Sequence, residues 1–516
     1  MIRLSWALIL VFSFLTGCAT NPVTGKNELN FVSGARELEI GKQQYLPSRQ
    51  MQGGDYNVDA ELTKYVNQVG QRLAKVADRK LPYEFVVLNN STPNAWALPG
   101  GKIAINRGLL LELENEAQLA AVLGHEVVHA AARHGAKSME RGMLMQGAVL
   151  VVGVAAASSD SGGGQLAVLG SQLAAGLMTQ KYGRDAELES DYYGMKYMSL
   201  AGYDPKAAVE LQQIFVRLSE GKNPNWLEGL FASHPPSQER VEANKVTVSE
   251  FPKGGRIGKE EYQRRIAHLV ETKEAYENYV KGKEALGKGQ QSEALNLAEQ
   301  AIKIEPKEAL FYGLRGDTRF KQEQFNKAVK NYSKALSLND QFYYFYVRRG
   351  QTRQRLGDSA GARQDLESSM KLLPTAQASN ALGNLYLAAG DRNSAVGYFS
   401  SAANSDTEVG REAYTSLVKI DLSENPSSYL ELKWGIDNRR MMVIEVGNPT
   451  PIAVNQLQIK VSYPTQSGQY RTVNKYVRQR IGSRETRRFN LGIGPFDSRI
   501  SNRDLSATLL RANIAR

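Results

Sequence analysis

The spacing of apolar positions changes several times along the chain, and each change predicts a different element. Tyr83-Glu84-Phe85-Val86-Val87-Leu88 and Lys102-Ile103-Ala104-Ile105-Asn106 are rich in β-branched and aromatic residues and read as strands. Asn94-Ala95-Trp96-Ala97-Leu98-Pro99-Gly100-Gly101 joins them as a turn-rich connection. Asn115-Glu116 then marks a helix start, because an Asn side chain can accept from a backbone N–H of the first turn; Leu119, Val122 and Leu123 share its inner face. Residues 143–178 are unusually apolar and glycine-rich, and Gly147 to Ala157 holds only glycine and apolar side chains. Eleven residues are too few to cross a bilayer as a helix, so this stretch reads as a buried or lid-forming helical hairpin. Near the end, Leu457, Ile459 and Val461 alternate with Gln458, Lys460 and Ser462, the period of a half-buried strand. Leu430–Trp434 and Met441–Val446 have a similar pattern, so residues 426–516 read as a small β-sandwich.

Between these regions the chain repeats itself. Gly282, Gly316, Gly350 and Gly383 are spaced by 34, 34 and 33 residues, and Ala294, Ala328, Ala362 and Ala395 keep the same intervals. Pro306 and Pro374 lie two repeats apart, with Asp340 at the position between. Small residues at fixed points let paired helices cross closely, and proline stops the second helix of a pair. The pattern resembles the tetratricopeptide repeat, in about four copies over residues 275–407 of a 270–420 repeat region. Such arrays bind protein or peptide on a concave face.

Composition narrows the class. A chain of 516 residues, 42% apolar and 23% charged, is a folded protein of several domains. Its formal charge of +11 permits contact with anionic surfaces without selecting one. Arg471, Lys475, Arg478, Arg480, Arg484, Arg487 and Arg488 concentrate that charge on what reads as a solvated face. Cys18 is the one cysteine, so no internal disulfide is possible. It follows Arg3, an apolar run from Leu4 to Phe14, and Leu15-Thr16-Gly17. Residues 1–17 therefore read as a secretory signal ending in a lipobox-like motif, with Cys18 as the acylated residue. Ala19 after the cysteine favours the outer membrane by Gram-negative sorting rules. The expected location is the periplasm, anchored to the outer membrane, which makes nucleic acid a poor partner.

The chemistry-bearing motif is His125-Glu126-Val127-Val128-His129. On a helix the two histidines lie about 40° apart, so both imidazoles can reach one zinc ion with Glu126 beside the water. A catalytic zinc takes a third protein ligand. His134 comes nine residues after His125 and on one continuous helix would face the other way, so it reads as structural or capping. In Arg184-Asp185-Ala186-Glu187-Leu188-Glu189-Ser190-Asp191, Glu187 and Asp191 share a helix face. Glu187 could bind zinc while Asp191 receives a hydrogen bond from a ligand histidine. Glu189, the rival ligand, points about 200° away from Glu187. His268 has no motif around it.

Four segments occur in one order: Asn94–Gly101, Gly124–His129, Arg184…Glu187…Asp191, and His234-Pro235-Pro236-Ser237-Gln238-Glu239-Arg240. Over residues 22–250 they resemble the HtpX/CAAX-prenyl-protease family of gluzincin metallopeptidases. Within that family they are most similar to the periplasmic β-barrel assembly-enhancing branch, which also carries tetratricopeptide repeats. The lipobox and the C-terminal β region depart from that branch. The resemblance implies one zinc ion per subunit on His125, His129 and Glu187, Glu126 as general base, and Asp191 as the acid behind a ligand. It also implies that His234 approaches the metal, either to stabilise an oxyanion or to fill the open position at rest. The expected architecture is multidomain and mainly α: an α+β zincin-type metallopeptidase domain over 18–265, the helical repeat solenoid, and the β-sandwich. The expected function is cleavage of unfolded or misassembled envelope proteins laid along a strand edge near Ala95–Leu98, with protein partners on the repeats, among them outer-membrane assembly machinery. The alternative is a chaperone-like or scaffold repeat protein with a mostly latent protease site.

Overall fold

The structure is a computed structural model that describes residues 18–146, 182–220, 229–465 and 467–515. The expected signal segment 1–17 and nearly all of the expected apolar lid, beyond Gln146, lie outside the described residues. No helix among the described residues is long and apolar enough to cross a membrane. The chain forms two compact units that divide between Pro374 and Thr375.

The first unit opens with a short antiparallel ribbon, β1 (Cys18–Thr20) and β2 (Asn27–Leu29). Helices α1 (Gly34–Met51) and α2 (Ala60–Val76) follow. Next come β3 (Glu84–Leu88), β4 (Ala95–Leu98) and β5 (Lys102–Asn106). The sheet order is β3-β5-β4, with β3 parallel and β4 antiparallel to β5, which leaves β4 at an edge. That is the strand proposed from sequence as a docking edge.

Helix α3 (Glu116–Ala131) starts where expected: Asn115 caps it by accepting from Gln118 N–H at 2.9 Å. Nearly every residue of α3 is buried, as its apolar all-round sequence requires. The chain then turns at Arg133, which has a φ of 64°, and restarts as α4 (His134–Gln146). A left-handed arginine is strained. Glu37, the Val32 carbonyl and Glu140 hold its guanidinium, and Glu140 also accepts from the Phe31 and Val32 N–H groups at 2.9 Å. The N-terminal arm is thereby tied to the end of α3. Helices α5 (Arg184–Leu200), α6 (Lys206–Glu220) and α7 (Gln238–Thr247) complete this part.

The charged composition of residues 260–274 reads as a short linker between the catalytic region and the repeats, but the segment is not one. It forms α8 (Lys259–Glu271), with Tyr262, Ile266 and Leu269 buried and the Tyr262 hydroxyl donating to the Leu110 carbonyl at 2.6 Å. The repeat helices follow directly: α9 (Lys273–Gly287), α10 (Gln291–Ile304), α11 (Ala309–Lys321), α12 (Phe325–Leu338), α13 (Tyr343–Arg355) and α14 (Ser359–Leu372). Ala294, Ala328 and Ala362 are fully buried where the paired helices cross. At Gly316 a Cβ would stand 2.6 Å from the Tyr332 ring, so only glycine allows that approach.

These repeats share one hydrophobic cluster with the preceding part. A buried polar joint adds to it. The Arg107 guanidinium lies 3.4 Å from the centre of the Tyr276 ring, and its Nε donates to Asn89 Oδ1 at 2.9 Å. Asn89 and the Tyr276 hydroxyl both donate to Glu308 Oε2, at 2.9 and 2.7 Å.

The second unit holds α15 (Ala376–Ala388), α16 (Arg392–Ala403) and α17 (Glu408–Asp421). Its strands are β6 (Glu431–Ile436), β7 (Met442–Asn448), β8 (Val454–Pro464), β9 (Tyr470–Val477), β10 (Glu485–Asn490) and β11 (Ser506–Ile514). They form two antiparallel sheets, β10-β7-β6 and β11-β8-β9. Met442, Ile444 and Val446 of one and Leu457, Ile459 and Val461 of the other belong to a common core. The arginines at 471, 478, 480, 484, 487 and 488 are exposed.

Candidate metal centre

Three helices and one loop bring the site together. Helix α3 carries His125 and His129, four residues apart, with Glu126 next to the first. Helix α5 carries Glu187, Glu189 and Asp191. The two helices approach closely at a pair of glycines: a Cβ on Gly194 would stand 3.2 Å from the His125 backbone N, and one on Gly124 would stand 3.3 Å from the Gly194 carbonyl. Without side chains at that crossing, the carboxylates of α5 come within reach of the α3 histidines. His234 follows the short helix Leu230–Ser233, and Ser237 then caps α7 by accepting from the Arg240 N–H at 3.2 Å.

His125, His129, Glu187 and His234 each offer a ligand atom, and these atoms all lie within 4.8 Å of one another. Nε2 of His125 is 3.0 Å from Nε2 of His129, and each is 3.4 Å from a Glu187 oxygen. His234 Nδ1 is 3.0 Å from Glu187 Oε1, and its Nε2 is 3.5 Å from Glu126 Oε1. The site is nearly enclosed: the His125 side chain is 12% exposed, and those of His129 and Glu187 are 0% and 2% exposed.

The electrostatics fit a cation. Two imidazole nitrogens at 3.0 Å cannot both present lone pairs to each other, so either a proton on one of them or a cation shared with the neighbouring carboxylate must lie between. Zinc–nitrogen bonds of about 2.0–2.1 Å at a tetrahedral angle would separate such nitrogens by about 3.3 Å. In the metal-free protein a proton serves instead. Burial disfavours charge on His125, but Glu187 and Asp191 outweigh it and raise its pKa to about 10. Burial pulls the neighbouring His129 well below the ordinary histidine value. Burial also opposes ionisation of Glu187, yet His234 and His125 hold it well below the usual carboxylate range. Burial pushes Glu126 up, against the pull of His234 and His125. Glu126 Oε2 and His234 Nε2 are buried with no hydrogen-bond partner among the described residues. Orphaned atoms of this kind at a histidine–carboxylate cluster suit a site that also takes a metal and a water.

Some of the surroundings were legible in the sequence and some were not. Asp191 accepts from His125 Nδ1 at 3.0 Å, the placement expected of it. Burial opposes its ionisation, but Arg240 and His125 lower its pKa to about 2. The role of Arg240 went unseen: it grips Asp191 through Nε and Nη2, both at 2.8 Å, and Nη1 lies 2.9 Å from Glu187 Oε2. Its place in the His234–Arg240 segment, in the first turn after a serine cap, was the signal. Tyr182, also unforeseen, lays its ring 4.0 Å from that of His129 at a tilt of 32°. His134 was expected to face away because α3 was read as continuous. The turn at Arg133 brings it back, with its Nδ1 2.9 Å from His129 Nδ1. Glu189, the rival ligand, lies not at the cluster but against His134, 3.2 Å from its Nε2. His268 pairs with Glu305 at 2.8 Å, far along the chain from the motif.

Comparison with known proteins finds relatives of the part of the chain that holds this cluster. Residues 60–247 match Peptidase family M48, and residues 309–342 match a tetratricopeptide repeat. The chain thus carries an M48 domain together with tetratricopeptide repeats. A beta-barrel assembly-enhancing protease of Escherichia coli is 31% identical over 38% of this chain and 40% of its own length. The mitochondrial metalloendopeptidase OMA1 of Schizosaccharomyces pombe is 34% identical over 43% of this chain and 63% of its own. The metalloprotease YcaL of Escherichia coli is 29% identical over 34% of this chain and 68% of its own. The match to the beta-barrel assembly-enhancing proteases of Vibrio cholerae and Escherichia coli spans 40% of their length.

Proposed function

We propose that this chain is a zinc-dependent endopeptidase of the bacterial cell envelope that cleaves unfolded or misassembled proteins. The observation that carries the reading is the convergence of His125, His129 and Glu187 at hydrogen-bond distances, with Glu126 buried beside them. Those three residues would hold the zinc ion. When bound, zinc supplies Lewis acidity, easing ionisation of water near neutral pH and polarising the scissile carbonyl. Glu126 takes the proton of the attacking water and delivers it to the leaving amine. Its burial suits the first half of that task, because a carboxylate in a poorly solvated place accepts a proton readily. Asp191, locked by Arg240, fixes the ring of His125 so that Nε2 faces the metal. Strand β4 lies at the sheet edge with its four residues buried, so an extended substrate would pair along it only once that edge is uncovered, a mode of binding that reads shape more than sequence.

The lipobox-like Leu15–Cys18 supports an anchor in the outer membrane facing the periplasm, and the names of two relatives support a role in β-barrel assembly. The repeats supply the surface for protein partners, outer-membrane assembly machinery among them. A second reading, a chaperone-like repeat protein with a latent protease, has one observation in its favour. His234 stands between Glu126 and Glu187, where it closes the site. Degradation of an unfolded protein by the full chain, with and without a chelator, tests the proposal. Chelator-sensitive cleavage restored by zinc supports the peptidase; binding without cleavage, with zinc present and His234 replaced by alanine, supports the scaffold.

A further inference from the structure

The two histidines of the motif are held in different ways. His125 donates its Nδ1–H directly to a carboxylate, Asp191. His129 has no carboxylate at its Nδ1; it has another imidazole, His134, at 2.9 Å. Of two ring nitrogens at that distance, one must donate and the other accept. The far side of His134 decides which. Its Nε2 lies 3.2 Å from Glu189 Oε1, and a carboxylate only accepts. His134 therefore carries its proton on Nε2 and presents a bare Nδ1 to His129. His129 in turn carries its proton on Nδ1, and its Nε2 is left bare for a cation that His125 and Glu187, 3.4 Å away, would share. The reverse arrangement would set the lone pair of His134 Nε2 against an anion.

We infer that His134 and Glu189 are positioning residues, which fix the tautomer and ring plane of His129 through the chain His129–His134–Glu189. The turn at Arg133 makes this possible, since an unbroken α3 would carry His134 away. His134 is 4% exposed, and Ser190 Oγ, 3.4 Å from its Nδ1, is the other polar neighbour. Glu189, excluded as a ligand by its direction from α5, acts on the metal site at one remove. The inference rests on the reading of His129 as a metal ligand, so its test must separate the two.

Zinc affinity of the full chain is measured by chelator competition, with the visible spectrum of the cobalt-loaded protein as a second readout. His129→Ala is the control for the ligand reading. His134→Phe keeps the volume but removes the acceptor, and is expected to weaken zinc binding by about 10–100-fold and to shift the cobalt spectrum. His134→Asn places a carbonyl oxygen where Nδ1 stood and is expected to recover most of the affinity. Glu189→Leu, at a side chain 18% exposed and so less disruptive to folding, should weaken binding in the same direction, and Glu189→Gln less. If His129→Ala loses zinc while His134→Phe and Glu189→Leu match the wild type in affinity and spectrum, the inference is overturned. It is equally overturned if His134→Asn falls as far as His134→Phe. If His129→Ala binds zinc normally, the ligand reading itself fails.

Discussion

Two places in the first unit bury charge in similar apolar surroundings, and they differ in how that charge is satisfied. At the joint with the repeats, Arg107, Asn89, Tyr276 and Glu308 form complementary pairs: each donor meets an acceptor, and the guanidinium meets an aromatic face. At the metal centre, like groups face each other. Two imidazole nitrogens stand 3.0 Å apart, and buried oxygen and nitrogen atoms of Glu126 and His234 lack hydrogen bonds. Burial and charge alone do not separate a structural network from a reactive one. Mutual frustration does, because a folded chain keeps unsatisfied groups together only where something else completes them.

Variants can break this contrast. The largest effect is expected at the proposed third ligand: Glu187→Ala should remove most zinc binding and all measurable cleavage, read by metal content and peptide turnover. At the joint, Arg107→Ala should do the opposite. Loss of the guanidinium leaves Asn89 Oδ1 without its donor and the Tyr276 face uncovered, and should cost about 1–3 kcal/mol of stability in a denaturant titration, with zinc affinity of the folded fraction unchanged. The same reasoning applies to truncation. Cutting at residue 270 would remove Tyr276 and Glu308 and expose the shared core, whereas cutting after Pro374 follows the division between the two units. A chain ending at 374 should still hydrolyse a short unstructured peptide at near-normal rate; one ending at 270 should fail to fold, as circular dichroism would report.

A smaller effect sharpens the electrostatic side. Glu187 and Asp191 hold His125 protonated up to about pH 10 in the metal-free protein, and a ligand nitrogen must be neutral. Zinc uptake should therefore release a proton, and affinity should rise as pH rises from about 6 towards 10. Calorimetry in buffers of different ionisation enthalpy measures the protons released; a value of zero at pH 7 would refute the assignment.

Much of this was legible in the sequence because it depends on local spacing. The four-residue step from His125 to His129, the shared face of Glu187 and Asp191, the Asn115 cap, and the small-residue repeat all follow from helical geometry. What escaped was non-local. The turn that returns His134 depends on Arg133 being held by Glu37, nearly one hundred residues earlier in the chain. Arg240 reaches Asp191 only because α7 packs beside α5. The segment 260–274 looked like a linker because its charges dominate the composition, although Tyr262, Ile266 and Leu269 recur at helical spacing and bury one face.

The most direct measurement takes zinc content and peptide turnover together in Glu126→Gln. Glu126 stands outside the cluster of His125, His129, Glu187 and His234, with its Oε1 3.5 Å from His234 Nε2, and its proposed work is proton transfer rather than holding metal. The account predicts zinc bound at the wild-type level and turnover lowered by about 100-fold or more. Near-normal turnover with zinc in place would contradict it.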